Sequence, residues 1–167
     1  MYQPHRIMSF LFFFMGLYSL SAHALRDDHF KKVVIFADSG IYNYKTGINV
    51  YKGHVKIDQG TTHVTADRLI TKNNDKHVIE EVIAYGDKTL AHYWTLTKVG
   101  DPEMHAQAKV IKYYPIESNV TLENNAFVSQ GENNFQGQLI HYNSKEQTIT
   151  MPAAESGHAI LIYNPDK

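Results

Sequence analysis

The sequence predicts an all-β fold of antiparallel strands, and three observations carry that expectation. Short runs of β-branched and aromatic residues alternate apolar with polar. Turn signals interrupt the chain every ~8–12 residues. No segment of about a dozen residues shows a helical apolar stripe with caps. Tyr 11 and Phe 8 in 167 residues add the side chains that a pleated, half-buried surface favours. In chain order, the strand candidates are Val33-Val34-Ile35-Phe36, His54-Val55-Lys56-Ile57, His63-Val64-Thr65-Ala66 and Ala159-Ile160-Leu161-Ile162-Tyr163. The turn signals are Lys52-Gly53-His54, Gln59-Gly60, Asn73-Asn74-Asp75, Gly86-Asp87, Gly100-Asp101-Pro102, Glu123-Asn124-Asn125, Gln130-Gly131 and Asn143-Ser144. Arg26–Lys31 leaves room for one short helix.

The first residues are expected to lie outside this domain. His5-Arg6 opens weakly positive, and Ile7 to Leu20 follows without a charge. Ser21-Ala22-His23-Ala24 then places small residues at the −3 and −1 positions of an A-x-A site. That is the layout of a secretory signal peptide, cleaved after Ala24, with an apolar core too short to span a bilayer comfortably. No Cys follows it, so lipoprotein attachment is excluded. Removing 24 of the 167 residues leaves 143, and with Arg6 gone the balance is 15 Lys+Arg against 17 Asp+Glu, or −2. The expected organisation is a signal peptide over 1–24, a lead-in over 25–32, a β domain over 33–163 and a tail over 164–167. Export without cysteine suits a bacterial periplasm, where disulfides are available but not obligatory.

A weak internal repeat links the two halves. Ala37-Asp38, Ala66-Asp67, Ala108-Lys109 and Gly137-Gln138 are small-polar dipeptides at strides of 29, 42 and 29. At a constant shift of 71, Tyr42, Val55, Ile57 and Gln59-Gly60 find Tyr113, Ala126, Val128 and Gln130-Gly131. Residues 37–71 therefore resemble residues 108–142. Repeated short strands with small residues at fixed points suggest stacked rungs that bend near each Ala or Gly. Such a stack has an apolar inner face along its length and unpaired first and last strands.

Composition excludes several function classes. A net charge of −1 lacks the basic excess of a nucleic-acid binder. With Cys 0, no disulfide, thiolate metal site, Fe–S cluster or Cys nucleophile exists. The histidines of the mature chain, His29, His54, His63, His77, His92, His105, His141 and His158, form no H-x-H, H-x-x-x-H or H-E-x-x-H. His54 and His63 flank Gln59-Gly60, but nothing carboxylate-like stands beside them at ligand spacing, so solvated strand histidines are the better reading. Glu80 and Glu81 are adjacent, hence on opposite strand faces, and do not form an acid–base pair. Asp38-Ser39 has no G-x-S-x-G elbow around it, and neither a Walker A nor a G-x-G-x-x-G occurs. No catalytic residue, cofactor or metal is expected. His92-Tyr93-Trp94 is the densest aromatic spot; it reads equally as plain core or as one wall of an apolar groove.

At the next level the residues resemble a known repeat. Val50-Tyr51-Lys52-Gly53-His54-Val55-Lys56-Ile57-Asp58-Gln59-Gly60, followed by Thr65-Ala66-Asp67-Arg68-Leu69, resembles the OstA-type pattern (apolar)-x-G-x-V-x-(apolar)-x-Q-G…A-D. Ala84-Tyr85-Gly86 and Gly137-Gln138-Leu139-Ile140-His141-Tyr142 continue it. Over residues 31–163 the chain is similar to the LptA (OstA-like) family of periplasmic lipopolysaccharide-transport bridge proteins. The second half departs: Asn124-Asn125 replaces the Gly-containing turn, and Gln138 replaces the Asp. The resemblance implies a twisted, slightly open antiparallel β-jelly-roll in the periplasm of a Gram-negative bacterium. It implies an interior that holds the acyl chains of lipopolysaccharide. It further implies an N-terminal edge that pairs with an LptC-type inner-membrane component. The C-terminal edge would meet another copy, head to tail, or an LptD-type outer-membrane jelly-roll. An LptC-like anchored component shares the fold, but the Ala22-x-Ala24 site argues against an anchor. A periplasmic polysaccharide-acting enzyme would need clustered carboxylates or basic residues on one groove face, and a pilus-associated β domain would pair edges without lipid.

Period-2 parity assigns the expected inner, lipid-facing side chains: Val33, Ile35, Ala37, Val55, Ile57, Val64, Ala66, Leu69, Tyr93, Ala106, Ala108, Ile111, Val128, Phe135 and Ile140. Parity is not assignable over Val78–Tyr85. The first and last β-rich runs are the expected partner edges: Val33, Val34, Ile35 and Phe36 at one end, Ala159, Ile160, Leu161, Ile162 and Tyr163 at the other. The last run contains no charge, proline or bulge to protect it. Edge pairing needs only backbone donors and acceptors in register, and a lipid carrier needs only an apolar groove, worth roughly 0.8 kcal/mol per methylene removed from water.

Overall fold

Alternation of buried and half-exposed residues runs through the longer of twelve strands in the computed structural model, which describes residue 28, residues 31–153 and residues 158–165. The expected signal peptide and most of the Arg26–Lys31 segment lie outside the described residues. The strands are β1 (Val33–Phe36), β2 (Ser39–Ile41), β3 (Ile48–Gln59), β4 (Thr62–Asn73), β5 (Ile79–Tyr85), β6 (Ala91–Thr95), β7 (Met104–Ala108), β8 (Val110–Tyr114), β9 (Asn119–Gln130), β10 (Asn133–Asn143), β11 (Thr148–Thr150) and β12 (Ile160–Ile162). All pairings are antiparallel.

Four long strands, β3, β4, β9 and β10, each bend in the middle and serve two leaves. In one leaf the order is β2, the first half of β3, the second half of β4, β5, β8, the first half of β9, the second half of β10, and β11. In the other it is β1, the second half of β3, the first half of β4, β6, β7, the second half of β9, the first half of β10, and β12. This is a jelly-roll whose leaves face one another across a single core. Tyr93 of one leaf meets Tyr113 of the other, ring centroids 5.5 Å apart.

The bends corrected two expected turns. Lys52-Gly53-His54 and Glu123-Asn124-Asn125 do not reverse the chain; they are bulges inside β3 and β9, where the register jumps between Lys52 and Val55 and again opposite Gly137 and Leu139. Both residues of each bulge are left-handed: Gly53 at φ 77° and His54 at 44°, Asn124 at 63° and Asn125 at 56°. Asn is the non-glycine residue that best tolerates this region, so Asn-Asn stands in for Gly-His without changing the bend. The small-polar dipeptides mark the same places from the other side. Asp67 and Gln138 are the residues skipped in the β4 and β10 ladders. Asp38 and Lys109 separate β1 from β2 and β7 from β8, and each donates its backbone N–H across the bulge, to Gly53 O at 3.0 Å and Asn124 O at 2.8 Å.

The shift of 71 holds through the ladders. β1 pairs β3 as Val33↔Gln59, and β7 pairs β9 as Met104↔Gln130. β2 pairs β3 as Ser39↔Lys52, and β8 pairs β9 as Val110↔Glu123. The chain is thus two copies of one unit, β1–β6 and β7–β12.

A Cβ added at Gly53 would run into the Asp38 side chain, on top of the left-handed strain. Gly53→Val should therefore cost about 2 kcal/mol, whereas Asn124→Gly should stay within about 0.5 kcal/mol because the backbone preference is already met. Urea unfolding followed by tryptophan fluorescence checks both; equal losses would mean the bulges are not what shapes β3 and β9.

Candidate functional site: an apolar seam between two leaves

The seam between the leaves is built by strand parity. Val55, Ile57, Val64, Ala66, Leu69, Tyr93, Ala106, Ala108, Ile111, Val128 and Ile140 are all buried in the core, and Val33, Ile35 and Phe135 pack against it half-buried. Lys56 and Asp58 point the other way, joined by a 3.0 Å ion pair on the outer surface. Fourteen of the fifteen expected inner residues thus face the seam; Ala37 does not, because it lies one residue past β1 and is exposed. Its counterpart Ala108 is buried because β6 covers it, through Ala91, and no described strand stands beside β1 in that position.

Other inner residues were not singled out from sequence. Val82 and Ala84 settle the parity of β5, with Met104, Val120, Leu122, Ala126 and Tyr142 completing the core. A run such as Ile79–Tyr85, with Glu80-Glu81 followed by four apolar residues, has no alternation to read. Of the aromatic triplet, only Tyr93 enters the seam; His92 is exposed, and Trp94 stacks on His63 outside at 5.1 Å. His54 and His63 do not meet across the hairpin. His54 Nδ1 lies 2.8 Å from Asp38 Oδ2, and His63 Nδ1 lies 2.5 Å from Asp58 Oδ1.

Polar groups inside the seam are satisfied. Asn49 Nδ2 donates to Thr71 Oγ1 at 3.0 Å and to Asn73 Oδ1 at 3.2 Å, while its Oδ1 accepts the N–H of Asn43 at 3.0 Å. Thr62 and Thr95 share a 3.0 Å hydroxyl bond between leaf strands. The Asn49 network rims a cleft of about 510 Å³ at the β1 end, floored by Val33, Ile35, Tyr51 and Ile79. A second cleft, of about 400 Å³, lies on the outer face of the β8–β11 leaf, lined by the outward-facing Thr121, His141, Asn143, Thr148 and Thr150. Beyond the cleft at the β1 end the seam is filled by the chain's own side chains.

Asp67, the motif carboxylate, faces outward and accepts the backbone N–H of Lys88 at 2.6 Å and of Thr89 at 3.1 Å. Those bonds hold its carboxyl below the usual range and tie the β5–β6 turn to the bend in β4. Arg68, next to it, lies 3.7 Å over the Tyr85 ring and reaches Asp87 at 3.4 Å.

Edges differ from expectation in number. Among the described residues β1 and β12 each pair on one side only, with β3 and β10, but β2 and β11 also end the other leaf, so each end presents two strands with a side left open by the described residues. β12 is Ile160–Ile162, with Ala159 and Tyr163 flanking it. Among the described residues no three His, Asp or Glu side chains come together as a metal site, and no helix is long and apolar enough to cross a membrane.

An apolar seam between two antiparallel leaves, open in a cleft at the β1 end and edged by strands with one partner among the described residues, defines a binding scaffold of the open jelly-roll class. The family model described as LptA/(LptD N-terminal domain) LPS transport protein matches residues 34–148. The chain belongs to this family. It is 30% identical over 135 residues to the lipopolysaccharide export system protein LptH of Pseudomonas aeruginosa, covering 80% of this chain and 75% of that protein. Its identity to the lipopolysaccharide export system protein LptA of Escherichia coli K12 is 27% over 132 residues, 78% of this chain and 70% of that one. The crystal structure of LptH, described as the LptA-homologous periplasmic component of the conserved lipopolysaccharide transport device of Pseudomonas aeruginosa, superposes with a TM-score of 0.76 at 25% identity. It covers 83% of this chain and 99% of that one.

Burial raises the hydroxyls of Tyr113 and Tyr142 to about 12 and pushes Tyr93 well above 10. The unfolded chain ionises these groups near 10 and the folded chain does not, so their contribution to stability is full below pH 10 and is lost as pH rises toward 12. Phenolate absorbance should therefore titrate in two stages, the second coinciding with loss of the folded circular-dichroism signal. Tyr142→Phe should delay that loss; a single stage with all tyrosines ionising near 10 would contradict the closed seam.

Proposed function

We propose that this chain binds lipopolysaccharide in the periplasm of a Gram-negative bacterium and carries it between the two membranes; its relatives are named as lipopolysaccharide export system proteins, one of them as a periplasmic component of a lipopolysaccharide transport device. The observation that carries this reading is the inner face: it is apolar along the seam between the leaves and opens in a cleft at the β1 end. Acyl chains are the ligand such a face suits, since each buried methylene contributes roughly 0.8 kcal/mol and no catalytic group is required. The half-buried Val33, Ile35 and Ile79 at the β1 end offer the entrance. Residues 1–24 serve as a signal peptide cleaved after Ala24.

The open edges carry the second half of the reading. β1 and β2 pair with an LptC-type inner-membrane jelly-roll, and β11 and β12 with the next copy or with an LptD-type outer-membrane jelly-roll. Pairing by strand addition uses the unmet N–H and C=O groups of these strands. A head-to-tail contact does not close on itself and extends into filaments.

A photo-crosslinker at Ile35 or Tyr93 should capture lipopolysaccharide in cells, and one at Lys56, on the outer surface, should not. Equal capture at all three positions would sink the seam as the lipid site. Leu161→Pro removes one backbone donor from β12. It should abolish C-terminal assembly, read by size exclusion at rising protein concentration, while the melting temperature falls only a few degrees because β12 is a short outermost strand. Assembly that survives the substitution would remove β12 from the contact.

A further inference from the structure

The bends of β3, β4, β9 and β10 join the leaves along one side, and among the described residues no strand crosses between them on the other. An amphiphile with its chains between the leaves must therefore put its polar head out at the rims opposite the bends. To travel along the seam, it has to carry that head past anything that crosses from rim to rim. Tyr113 makes such a crossing. On β8, Val110 stands by the bend opposite Glu123, and Tyr114 stands at the rim opposite Asn119, with Tyr113 next to it. The Tyr113 ring packs against Tyr93 of the other leaf, centroids 5.5 Å apart, and its hydroxyl comes within reach of Thr62. Thr62 is the first residue of β4 and pairs Gln59, so it lies at the far rim of that leaf.

The landing point is rigid and the crossing residue is not. Thr62 shares its 3.0 Å hydroxyl bond with Thr95, the last residue of β6, and the Tyr93 hydroxyl is within reach of both threonines. Tyr93 is 3% exposed, whereas Tyr113 is half-buried and is the ring with a way out. The cleft at the β1 end also stops here. Among its described lining residues Pro115 alone comes from unit two, and Pro115 continues the inward row of Ile111 and Tyr113 on β8. Past Tyr113 the seam is filled by Val120, Leu122 and Ile140, none more than 1% exposed. The internal repeat displays the same position in another arrangement. Tyr42, the counterpart of Tyr113 at the shift of 71, is 46% exposed, accepts a 3.4 Å bond from Asn73 Nδ2 and lines the same cleft.

We infer that Tyr113 is a strap across the rims: closed onto Tyr93 and Thr62 it ends the cleft, and swung outward, as Tyr42 is, it lets a lipid held between the leaves pass from unit one into unit two. The inference rests on the lipid-carrier reading above and adds the point along the seam at which passage is controlled. Opening needs only a change of side-chain rotamer. The backbone of Tyr113 keeps its ladder positions opposite Val82 and Val120 throughout. One ring–ring contact and one hydroxyl contact hold the strap shut, each of modest strength, so it delays passage without forbidding it.

The test follows lipid along the seam in time. The full chain carries a diazirine amino acid either at Ile35, in the cleft, or at Ile140, beyond the strap. It is mixed with purified lipopolysaccharide and flashed with ultraviolet light at increasing delays. Capture at Ile35 should come first and capture at Ile140 after a lag. Tyr113→Phe removes the hydroxyl contact and should shorten that lag on the order of fivefold, the factor set by one net hydrogen bond, with the rate at Ile35 unchanged. Tyr113→Ala should shorten it further, and Tyr113→Phe carries the test if the alanine variant does not fold by circular dichroism. Tyr114→Phe, which loses a 3.1 Å bond to Glu81 on the outer face of the same strand, should leave the lag as it is. Simultaneous capture at Ile35 and Ile140 in the unaltered chain would overturn the strap, as would a lag that Tyr113→Phe does not change. Equal acceleration at both positions, or by Tyr114→Phe as well, would mean general loosening and would overturn it too. Capture at neither position would overturn the lipid-carrier reading beneath it.

Discussion

The left-handed pairs Gly53-His54 and Asn124-Asn125 set the geometry on which the rest of the molecule depends. A twelve-residue strand left straight belongs to one sheet and offers one buried face. With an extra residue on one side of the ladder the strand turns, and its two halves hydrogen-bond to different neighbours. β3 and β9 bend this way, β4 and β10 follow at Asp67 and Gln138, and the ladder doubles over into two leaves. Only then do Leu69, Ile111 and Leu122 of one leaf find Val55, Val64 and Val128 of the other. Removing the bends would leave a flat sheet with an apolar face toward water.

Because the bends are placed alike in both units, the core is shared rather than divided. The two units contact one another through β5–β8 and β6–β7, and the cross-leaf Tyr93–Tyr113 pair joins unit one to unit two. Each unit alone would leave its inner face uncovered along a complete side, which is the general condition of a stacked repeat. The outer surface does other work: Lys112–Glu123 at 2.6 Å and Lys56–Asp58 at 3.0 Å pair charges across or along exposed strands, where each contributes at most about 1 kcal/mol.

Much of this was legible because parity is a strong signal wherever apolar and polar residues alternate. In β3, His54-Val55-Lys56-Ile57-Asp58 reads inward at 55 and 57 without ambiguity, and in β4 the same holds at 64 and 66. The shift of 71 was visible from five residue correspondences and proved to be the shift of the ladders. What could not be read follows from physical causes too. A bulge and a tight turn use the same residues, since both need a left-handed backbone, so Lys52-Gly53-His54 and Glu123-Asn124-Asn125 look like reversals until the pairing is known. β2 and β11 are three residues long, too short for an alternation to be detected: β2 shows none, and Thr148-Ile149-Thr150 offers a single apolar position. Ala37 obeys the parity of its strand, but burial also requires a neighbour, and sequence does not say where the next strand is.

Alanine lines the interior close to every bend: Ala66, Ala84, Ala91, Ala106, Ala108 and Ala126 are all buried. A methyl group gives up little hydrophobic free energy on exposure and no side-chain rotamer entropy on ordering. Separating the leaves at these positions is therefore cheaper than separating them at Leu69, Met104 or Leu122. Local opening free energies should fall along the seam toward the bends, so the molecule has graded rather than uniform cooperativity. A hydrophobic chain slipping between the leaves there would displace contacts made by alanine methyls and replace them with equivalent ones of its own. The interior is in this sense exchangeable along its length: the sheet keeps its hydrogen bonds while the material between its leaves is substituted.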